Sequence, residues 1–268
     1  MRQDNNENVA ELNDLEIQDE NEHIIKLWEP LDFNIDEKYN FVSKGVIFSI
    51  LSNFVYYIVA YPILKVLTKV VYDLEIEGKE NLRDIKESVI TVSNHVLFLD
   101  CAMVGLAYGF KKVYFTTREG SFKIPGVRKL IKLLRAIPIP EGIKNKEYFL
   151  NAIDDILKSG KSVHLYPEAS LIPYHSKIRH FKNGAFNIAI KNNKKIVPIV
   201  ITFRESRGIR KLFKYKKDVT LTIVEPIEPP KQGDTKQKIE ILKQEVYEKM
   251  KKVNEDKKDR LKNEVRFN

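Results

Sequence analysis

Short β-branched runs alternate with amphipathic stretches over most of the chain. Seven such runs are predicted as strands, at 73–77, 89–94, 112–117, 136–139, 161–166, 196–203 and 219–225. Between them, helical periodicity occurs near 99–109, 122–135, 145–159 and 181–193. Strands that alternate with helices are typical of an α/β domain. We therefore predict, over residues 73–230, a mostly parallel or mixed sheet flanked by helices.

An uncharged apolar run precedes this domain. From Gly45 to Leu64, 20 residues carry no charge. About 20 apolar residues at a rise of 1.5 Å are enough to cross a bilayer core, although Pro62 is expected to bend or end a helix. Residues 41–72 are therefore predicted as an N-terminal apolar helix pair at a membrane. Two geometries stay open, a true span and helices that are buried or lie in the plane of the membrane.

The two ends of the chain have opposite charge. Residues 1–22 hold eight acidic residues against Arg2 alone, so residues 1–40 are expected to form an acidic, largely disordered tail. Residues 231–268 are rich in lysine, with apolar residues at three- and four-residue steps. This periodicity predicts a long helix with one buried face, formed by Ile239, Leu242, Val246, Met250 and Val253.

Charge and cysteine content limit the function classes. The net charge of +9 suits an anionic partner, either membrane headgroups or nucleic acid. The basic residues are not interleaved with aromatic residues and match no nucleic-acid-binding module, so anionic membrane lipids are the expected partner and nucleic acid is not. The single cysteine, Cys101, allows no intrachain disulfide and gives no metal-binding spacing.

The first candidate for chemistry follows the predicted strand at 89–94. Asn94 and His95 lie at its end, and Asp100 follows the histidine by five residues. In open α/β sheets, ligands bind at the carboxyl ends of strands. A histidine there can take a proton from a hydroxyl if a carboxylate fixes its tautomer. On its own the pair is weak evidence, because a histidine near a strand end is more often a hydrogen-bonded structural residue.

Further polar residues follow a second predicted strand. Glu168 and Ser170 come after the run at 161–166, while Lys182 and Gly184 lie at the start of the next predicted helix. At a helix start, a cation and backbone N–H groups together favour an anion. Ser170 is a poor nucleophile candidate, because the Gly-x-Ser-x-Gly turn is absent.

The order of these segments resembles the glycerolipid acyltransferase family typified by lysophosphatidate acyltransferases. Four blocks over about residues 70–205 carry the resemblance: Asn94-His95 to Asp100, IPGVRKLIKLLRAIPIP at 124–140, YPEAS at 166–170 and VPI at 197–199. The resemblance implies an O-acyltransferase of phospholipid biosynthesis, with acyl-CoA or acyl-carrier protein as the donor and 1-acylglycerol-3-phosphate as the first acceptor to test. It also implies no bound cofactor or metal. The apolar run indicates a membrane-associated protein, and the lysine- and arginine-rich domain after it is expected to face the cytoplasm.

The resemblance also assigns roles in catalysis. His95 would be the general base and Asp100 the residue that orients it. The oxyanion of the tetrahedral intermediate needs N–H donors, which are expected from Asn94 or from the backbone around Gly184.

The acceptor side departs from the family pattern. Leu171 and Glu141 stand where the family has arginines associated with the acceptor phosphate. The remaining acceptor-binding candidates are Glu168, Ser170, Arg118, Arg179, Lys182 and Gly184. Two alternatives therefore stay open: acylation of a non-phosphorylated hydroxyl acceptor such as a glycolipid or sugar, and a non-catalytic lipid-binding relative.

Overall fold

A computed structural model of the chain describes residues 32–33, 35–36, 39–43, 45–141, 145–206 and 217–266, with side chains as far as residue 259. The strands of these residues form one seven-stranded sheet. In chain order they are β1 Glu75–Glu77, β2 Ile90–Ser93, β3 Val113–Arg118, β4 Ala136–Ile139, β5 Ser162–Leu165, β6 Ile196–Arg204 and β7 Asp218–Ile223. Each strand lies within one of the predicted runs or overlaps it.

The sheet has the strand order β1-β7-β6-β2-β5-β3-β4. The strands from β6 to β4 are all parallel, whereas β7 is antiparallel to β6 and β1 runs parallel to β7. The predicted mixed sheet is therefore confirmed. Val92 of β2 pairs with Pro198 of β6 on one side and with Leu165 of β5 on the other, so the carboxyl ends of these central strands share one edge.

Helices cover both faces of the sheet. In chain order the described helices are α1 Val46–Tyr72, α2 Glu80–Arg83, α3 Asp100–Tyr108, a 3₁₀ helix Glu119–Lys123, α4 Val127–Leu133, α5 Lys146–Lys158, α6 Gly184–Asn192 and α7 Thr235–Arg266. The helical periodicity of the sequence predicts α3, α4, α5, α6 and α7, and it misses only short α2 and the 3₁₀ helix.

Two hydrophobic cores lie on opposite faces of the sheet. On one face, α5, α6 and α7 bury Ile153, Phe186 and Val246 against Val92 of β2. On the other, α3 buries Met103 beside strand residues such as Ile199. Since both faces of the parallel strands are covered, those strands are apolar on both sides. A polar side chain within such a strand therefore needs a partner in the core.

The apolar run forms one continuous helix, α1, in the described residues, and the predicted pair is not found there. Pro62 does not end the helix, because the turn before it, Val55–Ala60, is π-helical. A proline removes one hydrogen bond and crowds the carbonyl one turn earlier, and a local π-helical bulge can absorb that disturbance. By length and composition α1 could cross a membrane.

The predicted boundary of the disordered tail at residue 40 is too late. Ile35 is only 1% exposed and belongs to the core that contains Phe149. Phe33 stacks on Phe122 of the 3₁₀ helix, with ring centroids 5.3 Å apart. Residues 1–31 lie outside the described part of the chain, as do residues 267–268 of the predicted C-terminal segment.

Candidate active site

The turn between β2 and α3 brings His95 and Asp100 together. Asp100 is the first residue of α3 and is completely buried, whereas the His95 side chain is 24% exposed. Nδ1 of His95 lies 3.0 Å from Oδ2 of Asp100. The same oxygen accepts the backbone N–H groups of Val96 and Leu97, at 2.7 and 3.0 Å. The carboxylate therefore closes the turn and holds the imidazole at the same time.

These contacts define which nitrogen of His95 can react. Because the Asp100 carboxylate can only accept, Nδ1 is the donor and Nε2 keeps its lone pair. Burial raises the pKa of the Asp100 carboxyl, and the hydrogen bonds from His95 and from the Leu97 N–H oppose that rise. An imidazole that is oriented by a carboxylate and has a free Nε2 can act as a general base.

A second, fully buried histidine lies on β5 beneath the site. The Thr91 hydroxyl lies 2.9 Å from Nδ1 of His164, and the Ser93 hydroxyl lies 3.2 Å from Nε2. Burial, and to a smaller extent the charge of His95, lowers the pKa of His164 to about 3. His164 is therefore a neutral hydrogen-bonding residue of the core. His164 is not among the residues predicted from the sequence, although a histidine between Val163 and Leu165 in a buried strand indicates a hydrogen-bonded group in the core.

The segment after β5 carries the second carboxylate of the site. Oε2 of Glu168 accepts the backbone N–H of His95 at 3.2 Å, and Oε1 accepts the backbone N–H of Arg179 at 2.9 Å. The Arg179 guanidinium is 2.8 Å from Oε2 of Glu168 and also donates to the hydroxyl and carbonyl of Ser170. Glu168 thus has its own cation, and it ties that cation to the backbone of the candidate base.

The loop that follows Glu168 runs along the turn from His95 to Asp100. The N–H of Ile172 donates to the carbonyl of His95, and the N–H of Tyr174 donates to the carbonyl of Val96, at 3.2 and 2.9 Å. Ala169 adopts a left-handed backbone conformation, with φ of 65°. The structure therefore brings five of the predicted residues together: His95, Asp100, Glu168, Ser170 and Arg179.

The other predicted residues are placed less directly. Asn94 is buried, and both polar atoms of its side chain pair with the backbone of Ile201, at 2.9 and 2.8 Å. This pairing braces β2 against β6 and does not favour the expected oxyanion role of Asn94. Arg118 is exposed at the carboxyl end of β3. Lys182 and Gly184 are exposed at the start of α6, and the Lys182 N–H donates to the Pro167 carbonyl at 2.8 Å.

The positions of the two missing arginines offer no cation. Leu171 is partly buried, and Glu141 is exposed with its carboxylate 3.8 Å from Lys123. Lys123 also lies 3.9 Å from Glu119. In the part of the chain that the structure describes, no group of three or more histidine, cysteine, aspartate and glutamate side chains could hold a metal ion.

Comparisons with known proteins point to one family. The acyltransferase family profile matches residues 73–202. A chloroplastic 1-acyl-sn-glycerol-3-phosphate acyltransferase of Arabidopsis thaliana is 31% identical over 132 residues, which are 48% of this chain and 36% of that protein. A chloroplastic relative of the same name from Brassica napus is 30% identical over 132 residues, 48% of this chain and 37% of its own. The chain thus spans little more than a third of the length of these relatives.

A solved structure shares the fold. The 1-acyl-sn-glycerophosphate (LPA) acyltransferase PlsC from Thermotoga maritima superposes with a TM-score of 0.50 at 23% identity, over 75% of this chain and 79% of that one. The resemblance predicted from the four sequence blocks is therefore confirmed. Residues 73–202 match the acyltransferase family, and the relatives to which the chain is similar are named as 1-acyl-sn-glycerol-3-phosphate acyltransferases.

Proposed function

We propose that the protein transfers a fatty acyl group from acyl-CoA or acyl-carrier protein to the hydroxyl of a lysophospholipid, with 1-acylglycerol-3-phosphate as the acceptor, in phospholipid biosynthesis. The contact between Nδ1 of His95 and the Asp100 carboxylate, with Nε2 free, is the observation that carries the proposal. The names of the relatives supply the acceptor class.

The proposed reaction needs no covalent enzyme intermediate. Nε2 of His95 takes the proton of the acceptor hydroxyl while the hydroxyl oxygen attacks the thioester carbonyl carbon. Asp100 stabilises the imidazolium that forms. When the tetrahedral intermediate collapses, the carbon–sulfur bond breaks and the imidazolium returns its proton to the leaving thiolate. The products are an ester and a free thiol.

For the acceptor anion, Lys182 is the proposed contact. Arg179 is already held by Glu168 and Ser170, so its charge is largely compensated. Lys182 is exposed and lies two residues before the first residue of α6, and its backbone N–H is bonded to Pro167, next to Glu168. The backbone N–H groups at Gly184 remain the proposed donors to the oxyanion.

We propose that α1 lies in the plane of the membrane and does not cross it. Its inner side contacts the domain from Ser52, whose hydroxyl donates to the Leu133 carbonyl at 2.7 Å, to Thr68, which is buried. These 16 residues correspond to about 24 Å of helix, most of the roughly 30 Å hydrocarbon thickness. A spanning α1 would therefore carry α4, with its lysines, into the bilayer.

The outer side of α1 is an apolar surface suited to lipid. It exposes large side chains along its whole length, and Phe110, 79% exposed, stacks beside it on Tyr61. An exposed apolar surface of this size is typical of a membrane contact. We propose that this surface anchors the domain on the cytoplasmic side. The exposed residues are Val46, Ile47, Ile50, Leu51, Phe54, Ile58, Val59, Ile63, Val66, Leu67 and Val70.

Cysteine labelling distinguishes the two geometries of α1. In a Cys101→Ser background reconstituted into sealed vesicles, Gly45→Cys and Lys69→Cys mark the two ends of the helix at positions outside its exposed apolar surface. In the in-plane geometry, a membrane-impermeant thiol reagent labels both cysteines, or neither, from outside. Labelling of one end alone would indicate a span.

The acyl-transfer proposal is tested on the full chain in phospholipid vesicles with a labelled acyl thioester. Wild-type protein should acylate 1-acylglycerol-3-phosphate, and His95→Ala should lose about 10²- to 10⁴-fold in turnover. A folded His95→Ala protein with near-normal turnover would remove the catalytic assignment. A wild-type protein that ignores this acceptor but acylates a matched neutral monoacylglycerol would support the second candidate, which Leu171 and Glu141 already favour.

A further inference from the structure

The aromatic ring of Tyr166 lies directly on the imidazole of His95. The two ring centroids are 3.9 Å apart and the ring planes are inclined by only 19°. At this separation the faces are in van der Waals contact. The hydrogen bond to Asp100 fixes one edge of the imidazole, and it leaves the ring free to tilt about that edge. A flat neighbour on one face restricts that tilt.

Tyr166 is itself held in place from below. Its ring meets that of His164 edge to face, with centroids 4.7 Å apart and planes at 86°. The hydroxyl groups of Thr91 and Ser93 on β2 lie within hydrogen-bonding distance of the two nitrogens of His164. The stack of three rings therefore rests on hydrogen bonds between the two central strands of the sheet, which is a rigid support.

The chain that carries Tyr166 contacts His95 at a second point. Pro167 follows Tyr166 and restricts its backbone to extended conformations. Glu168, the next residue, accepts the backbone N–H of His95 at 3.2 Å. Residues 166–168 thus hold both the side chain and the backbone of the proposed base. The proposed acyl transfer does not by itself explain the contact between the two rings.

We propose that Tyr166 is a positioning residue for the general base, acting through the face of its ring. The ring keeps the His95 imidazole in the plane from which Nε2 reaches the acceptor hydroxyl. Its electron-rich face also stabilises the positive charge that the imidazole gains in the transition state. The hydroxyl takes no part: it is buried, and no hydrogen-bond partner for it is found among the described residues. This inference rests on the proposed role of His95.

Removal of the ring tests the inference. Tyr166→Leu should lower kcat by about ten- to 100-fold, the loss expected when a reacting group is misplaced, with the KM values for acceptor and thioester within about twofold of wild type. Tyr166→Phe keeps the ring, so its kcat should stay within about twofold. Phe149→Leu, which removes a buried aromatic ring of α5, is the control for lost packing and should keep its kcat.

The outcomes separate this inference from the proposed function. A folded Tyr166→Leu protein with normal kcat overturns the inference about Tyr166. If His95→Ala loses turnover in the same assay, the proposed function still stands. A folded Tyr166→Phe protein that loses as much as Tyr166→Leu also overturns it, since the hydroxyl would then be the active group. If Tyr166→Leu does not fold, Tyr166→Met takes its place as the variant without a ring. Tyr166→Phe still distinguishes a role of the ring from a role of the hydroxyl. Equal turnover by wild type and His95→Ala would instead contradict the proposed function.

Discussion

The two strand ends that meet at the site are built in opposite ways. At the end of β2, every contact of the Asp100 carboxylate is made within five residues, to His95 and to two backbone N–H groups. At the end of β5, the Glu168 carboxylate is bonded to His95, 73 residues earlier, and to Arg179, 11 residues later. The proposed base is therefore organised by a short local turn, whereas the proposed acceptor side depends on distant residues.

This difference has a functional consequence. A turn whose bonds are local cannot lose one residue without losing its geometry. In the loop after β5, the cation that Glu168 binds is Arg179, 11 residues later, so residues between the two can change without removing that contact. We infer that the chemistry is fixed by the residues from His95 to Asp100, and that the acceptor is selected by the loop from Glu168 to Lys182.

The largest effect is expected from Asp100→Asn. If the amide nitrogen takes the place of Oδ2, it cannot accept the three hydrogen bonds and it presents His95 with a donor. If the amide oxygen takes that place, the NH₂ group is buried at the place of Oδ1, which has no hydrogen-bond partner among the described residues, and the charge that stabilises the imidazolium is lost. Turnover should fall by about 10²- to 10⁴-fold, as expected when a base takes the wrong tautomer. The measurement is kcat in vesicles. The matched control is Asp154→Asn on α5, which removes a carboxylate paired with Lys191 of α6. Similar losses of turnover in the two variants would contradict a specific role of the turn from His95 to Asp100.

The acceptor side should respond in KM. Lys182→Met removes a charge-assisted contact, worth about 1.5 to 3 kcal/mol or roughly ten- to 150-fold in acceptor affinity. Lys194→Met, at the opposite end of α6, is the control and should change nothing. Leu171→Arg restores the family residue and should lower KM for a lysophosphatidate. Acceptor-free thioester hydrolysis should stay constant in all three.

A protein that ignores phosphorylated acceptors before and after both changes would contradict this assignment. If such a protein acylates a neutral hydroxyl lipid or a sugar, the missing arginines mark a different acceptor. The two strand ends would then differ more clearly, because the turn from His95 to Asp100 would keep the family's residues while the loop after β5 would select a different acceptor.

Local patterns predicted most of the fold and the contact between His95 and Asp100. Seven β-branched runs predicted seven strands, because a strand buried on both faces needs apolar residues throughout. The five-residue spacing of His95 and Asp100 became a contact because α3 begins at the aspartate. The role of Asn94 could not be predicted, since its partner Ile201 lies 107 residues away. The contacts of Tyr166 and His164 depend on the strand order, which single runs do not encode.

The buried histidine beneath the two strand ends, His164, should make the stability of the protein depend on pH. Unfolded His164 has a pKa of about 6.5, and burial lowers the folded value to about 3. Between these values the unfolded chain binds one more proton, so the free energy of unfolding falls as the pH drops. This one group should cost about 2 kcal/mol at pH 5.

Denaturant unfolding at pH 7.5 and pH 5 measures this loss. His164→Asn keeps a hydrogen-bonding side chain beside Thr91 and Ser93 without a titrating group. The drop in the free energy of unfolding between the two pH values should therefore be about 2 kcal/mol smaller in the variant than in wild type. Equal drops would mean that His164 is protonated in the folded protein, and a charged residue would then lie beneath the site.

The smallest effect is expected at Ala169, and it tests how far the loop after β5 tolerates exchange. An alanine in the left-handed region, with φ of 65°, costs about 1 to 2 kcal/mol. Ala169→Gly removes that strain and loses about 0.5 to 1 kcal/mol in chain entropy, so the free energy of unfolding should rise by at most about 1.5 kcal/mol. Ala152→Gly, within α5, should instead lower it by about 1 kcal/mol.

Kinetics complete this test of Ala169. Because Ala169 is exposed and its neighbour Glu168 is anchored by Arg179 and by the backbone of His95, kcat should be unchanged in Ala169→Gly. A large fall in kcat would show that the strained backbone itself positions Glu168. The loop would then be as constrained as the turn from His95 to Asp100, and selection of the acceptor would have to lie in the side chains alone.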